Sequence, residues 1–451
     1  MPLSEETGAQ PECVNHAWNF FRNELGSPRF ICAPMVSQSE LPYRLVLRRS
    51  GCDLCYTPML HSGDYAGADA ESRIRQGFST CAEDRPLIVQ FAATEPEEFL
   101  EAALAVQDHC DAVDLNLGCP QPAALKGGWG GSLMDEENWH VAEAIVRRAS
   151  SSPILRVPVT CKIRIFSDDR KTLRFAKMIQ DAGCSLLTVH GRRRCRELHH
   201  APASWSAIRK VREALAIPVV ANGGVSCLQS ALRCLQETGC PAVMVATALL
   251  ADPELFIQPT ESADDAGVAA GPARLCKVAK QCLWYLEACE EHPPWALRAP
   301  RDHLRALLAQ VVSDVAELQA INDVVDAKSA SQPQAIGAEE ARAAFWHQLC
   351  HDLRATVHAI CLHTAATHEV QDALRQLNWG DFSCTKQQDL ARIRVQSCAW
   401  GGGRAAQAIG RRVPVSSRYV ERQRQRVAAL RSCGAAAAAR ASGKTSGVEN
   451  K

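Results

Sequence analysis

Residues 87–117 read LIVQFAATEPEEFLEAALAVQDHCDAVDLNL, and they decide the fold. LIVQF at 87–91 and VDLNL at 113–117 are short apolar runs of strand length, while residues 97–107 between them space their apolar side chains three or four apart. A strand, an amphipathic helix and a second strand are the parts of a parallel βαβ unit, whose strands are covered on both faces. The same unit repeats in both directions. Apolar runs at 30–34, 54–56, 159–163, 186–190, 219–222 and 242–246 bring the number to eight, and residues 171–182 and 228–237 carry helical spacing. Eight alternations within about 230 residues fit an α/β chain closed as a (β/α)8 TIM barrel better than an open doubly wound sheet. No strand leads into a G-x-G-x-x-G fingerprint, which weakens the open sheet further.

The barrel is expected over 27–258, after an N-terminal extension at 1–26. At 451 residues the chain is longer than one average domain, so the remainder needs its own reading. Residues 259–274, rich in Ala, Gly and Asp, read as a linker. From 275 to 382 the pattern is helical, with Leu283, Leu286 and Cys289 on one face, then runs at 304–318 and 341–363. A polar stretch at 327–338 looks like a flexible insertion in this small all-helical domain. Residues 383–451 lose periodicity, include low-complexity runs and carry a strong excess of Arg and Lys, which predicts a basic disordered tail.

Net charge is zero, so composition alone neither favours nor excludes a nucleic acid. No apolar stretch approaches the ~18 residues of a membrane span. The first fifteen residues carry Glu5, Glu6 and Glu12 and lack the apolar core of a secretory signal, so a cytoplasmic or nuclear protein without membrane attachment is expected. The 21 cysteines are scattered along the chain, which suits reduced structural thiols. Cys52 and Cys55 form an isolated C-x-x-C, and His347 and His351 lie four apart. Neither has a second ligand pair at zinc spacing, and no metal site is expected.

In a barrel the working residues stand at the C-terminal strand ends. In order these are Ala33-Pro34-Met35, Pro58-Met59, Gln90, Asn116 to Cys119, Lys162 with Arg164, His190 to Arg192, Asn222-Gly223-Gly224 and Ala246-Thr247. Most are polar or glycine where buried strands ordinarily end in apolar residues. The set suits a planar, anionic, phosphate-bearing cofactor of the flavin class. Lys162 can stabilise negative charge on a reduced ring. Gln90, Asn116 and His190 can supply directional hydrogen bonds. The small residues after the last two strands let backbone N–H groups approach a phosphate.

The stretch NLGCPQ at 116–121, with Gly127, Trp129, Gly130 and Leu133 after it, resembles the motif around the proton-donating cysteine of tRNA-dihydrouridine synthases. APM at 33–35, PLIVQFA at 86–92, TCKIR at 160–164, TVHGR at 188–192 and ANG at 221–223 accompany it in the family's order. LCYTPML at 54–60, EDRPLIVQ at 83–90 and YLEACEEHPPWALRAPRDH at 285–303 are similar to the eukaryotic subgroup acting at tRNA positions 16 and 17. The resemblance covers residues 28–304. It implies FMN as cofactor, NADPH or NADH as reductant, tRNA as substrate and a monomer. It implies hydride delivery to C6 of a uracil while Cys119 protonates C5. Ala33, Pro34, Met35, Gln90, Asn116, Lys162, His190, Asn222, Gly223, Gly224, Ala246 and Thr247 would bind the cofactor. Arg164, Arg192 and Arg193 would meet the substrate, and Arg194 and Arg196 stand beside them. A uridine inside folded tRNA must leave its stack to reach such a site.

The sequence departs from the family in three places. Residues 193–201 read RRCRELHHA where the family continues with Thr and a Gln-Lys-Gly segment. Ala246-Thr247-Ala248 replaces an acidic residue and a glycine, and Gly131 and Ser132 replace bulkier residues on the cysteine loop. Two other readings stay open: an FMN barrel oxidoreductase acting on a free pyrimidine, and a tRNA-binding relative without turnover.

Overall fold

A computed structural model describes residues 12–65, 78–194, 201–258, 270–312, 315–329, 331–332, 339–365, 368–377 and 379. The expected tail at 383–451 lies outside them, as do Arg196, most of the expected linker, and 333–338 of the expected insertion. Two compact units divide the chain: Met1–Gln258 with Pro294–Ala296, and Pro259–Pro293 with Leu297–Lys451.

The first unit is a (β/α)8 barrel. Its strands are β1 Phe30–Cys32, β2 Leu54–Tyr56, β3 Leu60–His61, β4 Leu87–Ala92, β5 Ala112–Asn116, β6 Val159–Ile165, β7 Leu186–Arg193, β8 Val219–Asn222 and β9 Ala242–Val245. All pairings are parallel, and β1 with β9 and β2 with β4 close the ring. The eight expected runs form the ring. The two-residue β3, too short to stand out in the sequence, lies on the mouth-side end of β4 through Leu60 and Phe91.

Among the described residues of this unit, helices of nine residues or more follow six of these strands, at Leu41–Arg49, Pro96–Val106, Trp139–Ser150, Asp169–Asp181, Trp205–Ala214 and Leu228–Thr238. Their ends obey local chemistry. Pro96 occupies a first-turn position where its missing N–H is harmless. The Asp168 carboxylate accepts the Arg170 N–H at 2.8 Å, starting its helix earlier than the apolar spacing suggests. Gly239, at φ +67°, terminates the last one in the left-handed region.

The residues expected to form a mere extension have a structural role. Helix Glu12–Asn19 runs into a π-helical turn at Phe20–Glu24, closed by Leu25 N–H to the Phe20 carbonyl at 2.9 Å. Phe20, Phe21 and Leu25 pack in one core cluster with Leu54, Ala112, Leu186 and Ala242, the first residues of four ring strands. This segment therefore closes the N-terminal end of the barrel. The Arg44–Asp84 ion pair at 2.6 Å, wholly buried and joined by Arg48, ties the first outer helix to the chain entering β4.

The second unit consists, among the described residues, of helices Ala270–Glu291, Arg298–Leu308, Val315–Ser329, Glu339–Thr364 and His368–Arg375. The run expected at 304–318 is two helices with a turn after Leu308, and the third helix extends to Ser329, into the stretch read as insertion. Leu283, Leu286 and Cys289 are buried as their spacing predicts, and Leu349, Leu353 and Val357 are buried on the fourth helix. Arg354 grips Glu290 through two bonds of 2.6 and 2.5 Å. His347 approaches the same carboxylate, at 3.5 Å, and His351 faces Asp352. No described helix is long and apolar enough to cross a membrane.

Candidate active site

Side chains alternate along a strand, so the core cluster identifies which residues face the barrel interior. Ile88, Ala112, Leu186, Val220 and Met244 belong to it. Two or four residues further on each strand stand Gln90, Asp114 and Asn116, Thr188 and His190, Asn222, and Ala246. On β6 the strand register places Lys162 beside Asn116 and Thr188. The interior thus changes from apolar at the floor to polar at the C-terminal mouth. The residues expected at the cofactor lie in the C-terminal half of their strands, as Gln90, Asn116, Lys162, His190 and Asn222 do, or in the loop directly after.

A chain of hydrogen bonds crosses from strand to strand. Thr160 Oγ1 donates to one Asp114 oxygen at 2.7 Å, and Gln90 Nε2 donates to the other at 2.8 Å. Asn116 Nδ2 donates to Gln90 Oε1 at 2.9 Å, and Asn116 Oδ1 accepts the N–H groups of Gly118 at 3.0 Å and Cys119 at 3.1 Å. The polarity is fixed at both ends, because an ionised carboxylate only accepts and backbone N–H only donates. Asp114 therefore orients Gln90, Gln90 orients Asn116, and Asn116 holds the backbone of Cys119. Asn116 also donates to the Met59 sulfur at 3.2 Å. Its polar atoms are thus engaged by the protein, which makes it a support for the cysteine loop.

Electrostatics follow from burial. Burial pushes the Asp114 carboxyl up to about 6, opposed by its bonds from Thr160 and Gln90 and by the charge of Lys162. Burial, then the positive charge of Arg164, pulls Lys162 down to about 8. Lys162 keeps part of its surface at the mouth, and its ammonium has no hydrogen bond or ion pair among the described residues. Burial raises the Cys119 thiol above its ordinary value, while the Gln121 N–H, Arg164 and Lys162 favour its thiolate. At neutral pH the thiol keeps its proton and has charges beside it that stabilise the anion left when the proton departs.

The arginines differ in their surroundings. Arg164 is buried, donating from Nε to the Gly118 carbonyl at 2.8 Å and from Nη1 to the Arg193 carbonyl at 3.3 Å. Burial and neighbouring Arg192 pull it down to about 10. It supports backbone on both sides of the mouth. Arg192 donates to the Ala201 carbonyl at 2.6 Å and lies 3.3 Å from His190 Nε2. The Arg193 side chain is exposed and unengaged among the described residues. Arg194 binds the Asp135 carboxylate and the Gly131 carbonyl. A register shift between β6 and β7, from Arg164 opposite His190 to Ile165 opposite Arg193, sets this loop apart from the regular ladder.

Opposite these groups, Asn222 Nδ2 donates to the Met244 carbonyl at 2.8 Å, and Trp205 Nε1 donates to the Gly223 carbonyl at 2.9 Å. Gly223 has φ +101°, and a Cβ there would stand 2.6 Å from the His190 ring, so both conformation and space demand glycine. Ala246 precedes the short helix Thr247–Ala251. Met35 is held by Ser39, whose hydroxyl accepts its N–H at 3.0 Å. Sequence reading missed Asp114 and Thr160. The available signal was an acidic residue on the inward face of an otherwise apolar strand.

Comparison with known proteins gives concordant results. Residues 31–344 match the family model described as dihydrouridine synthase (Dus). A Mus musculus protein named as tRNA-dihydrouridine(16/17) synthase-like, with NAD(P)(+) in its name, is 49% identical over 241 residues, covering 53% of this chain and 50% of that protein. The Schizosaccharomyces pombe tRNA-dihydrouridine(16/17) synthase is 45% identical over 245 residues, 53% of this chain and 60% of its own length. A second mouse protein, named as tRNA-dihydrouridine(20a/20b) synthase-like, is 40% identical over 231 residues, with 50% and 68% covered. The matched region spans about half the length of the first of these relatives.

Proposed function

The chain belongs to the dihydrouridine synthase family, and on that premise we propose that it reduces uridine in tRNA to 5,6-dihydrouridine, with Cys119 as the acid that protonates C5. The observation that carries this reading is the placement of a half-buried thiol, on a loop held by Asn116, at the same mouth as the Lys162 ammonium, which has no partner among the described residues. An acid for this step must hold its proton at neutral pH and yet leave a tolerable anion. Burial supplies the first property, and the charges of Lys162 and Arg164 supply the second.

The polar interior fits FMN by the chemistry of its donors. Lys162 would face the pyrimidine edge of the ring, where its charge is most useful on reduction. Gln90 and His190 would add hydrogen bonds, with Ala33, Pro34 and Met35 against the ring. Asn222, Gly223, Gly224, Ala246 and Thr247 would bring backbone close to the terminal phosphate. When bound, FMN reduced by NADPH or NADH supplies the hydride to C6 of the uracil. The protein's own bonds hold the backbone of both residues, Cys119 through Asn116 and Lys162 through the strand ladder.

The names of the relatives and the stretches at 54–60, 83–90 and 285–303 favour positions 16 and 17 of the D-loop as the target. A base there must swing out of its stack, and Arg193 is exposed to meet a phosphate beside it. The helices of residues 275–382 are our choice for the remaining tRNA contacts. Mapping dihydrouridine in tRNA from cells lacking this gene tests the assignment. Loss at 16 and 17 is expected, and an unchanged D-loop overturns it.

A further inference from the structure

We propose that Arg194 is a positioning residue that latches the Cys119 loop, an inference that rests on reading Cys119 as the proton donor. The Gly131 N–H donates to the Cys119 carbonyl at 2.9 Å. Arg194 Nη1 donates to the Gly131 carbonyl at 2.7 Å and to Asp135 Oδ2 at 2.8 Å, and its Nη2 pairs with Asp135 Oδ1. One guanidinium thus holds two points of the loop that follows β5, from a residue that follows β7. On the other side of the cysteine, Arg164 holds the Gly118 carbonyl and the Arg193 carbonyl. The backbone around Cys119 is gripped from both directions.

Space supports the same conclusion. A Cβ at Gly131 would stand 2.6 Å from the Cys119 carbonyl oxygen and 2.7 Å from Arg194 Cδ. A larger residue at 131 would press on the Cys119 carbonyl and displace the Arg194 stem, so the glycine lets the stem lie directly against the loop. The pair is also shielded, with Arg194 26% and Asp135 35% exposed. A forked, partly covered ion pair holds geometry better than a solvated one. Its carboxylate already occupies the Nη edge through which Arg194 would otherwise meet an RNA phosphate.

The test uses the purified full-length chain without RNA, as wild type, Arg194→Ala and Asp135→Asn. Site-resolved mass spectrometry follows alkylation by iodoacetamide at Cys119, with exposed Cys227 as internal reference. Both variants are expected to raise the Cys119 rate roughly threefold or more while leaving Cys227 unchanged. The affinity for tRNA and its salt dependence should stay as in wild type. An unchanged Cys119 rate in Asp135→Asn overturns the latch. So does an Arg194→Ala variant with unchanged Cys119 rate, weaker tRNA binding and a shallower salt slope, which would make Arg194 a phosphate contact. Asp135→Asn preserves shape and serves alone if the arginine variant does not fold. Because alkylation needs neither flavin nor substrate, failure of the wild type to reduce uridine would overturn the proposed function without touching this result.

Discussion

Asn116 and Lys162 are register partners on adjacent parallel strands, and the Lys162 carbonyl accepts the Leu117 N–H at 2.9 Å. One ladder therefore fixes the backbone of both Asn116, whose amide holds Cys119, and Lys162, whose ammonium has no partner among the described residues. Any change in that register would move both together, which is why a loop cysteine can be placed reliably relative to a strand lysine.

Replacing the thiol should separate binding from chemistry. Cys119→Ala is expected to leave the flavin absorbance of the purified protein unchanged and to slow dihydrouridine formation by about 10²- to 10⁴-fold, the range for a positioned acid. Product assay on unmodified tRNA checks this. Unchanged product would mean that the acid lies elsewhere.

Lys162 should be expensive to the fold. Pulled down to about 8 from 10.5, it is held less readily as an ammonium in the folded state, and that penalty is fully present below about pH 8 and is relieved as pH rises toward 10.5. Lys162→Met is expected to raise stability at pH 7 by about 1–3 kcal/mol while weakening flavin retention. Chemical denaturation and flavin content after gel filtration measure the two effects.

Asp114 has the opposite proton preference and a different window. Its folded value near 6 lies above the ordinary 3.8, so the stability it contributes is fully present below about pH 4 and is lost as pH rises through 6. The loss is of the order of 3 kcal/mol. Asp114→Asn should flatten the stability profile between pH 4 and 6. A slope there equal to wild type would show that another group titrates.

Phe21 tests the floor of the barrel. It is 3% exposed in the cluster formed with the first residues of β2, β5, β7 and β9. Phe21→Ala should cost about 3–5 kcal/mol, as for a well-packed core aromatic. A loss below ~1 kcal/mol, measured by urea denaturation, would show that the segment before β1 merely rests on the surface.

The barrel was legible in the sequence because each ring strand is a separate apolar run, and the mouth residues were legible because polar strand ends stand out against such runs. Asp114 escaped notice because its partners, Gln90 and Thr160, lie on other strands and only the register joins them. The floor-closing helix escaped because Phe20, Phe21 and Leu25 match no repeat of the barrel and are explained only by what they cover. Arg164 and Arg194 read as groups for RNA because an arginine in sequence does not reveal whether a carbonyl or carboxylate already holds it.

The most direct measurement is turnover by the flavin-loaded chain with NADPH on two substrates, tRNA lacking dihydrouridine and free uracil. The account predicts dihydrouridine in the tRNA D-loop and no reduction of free uracil. Reduction of free uracil with the tRNA left unchanged would contradict it.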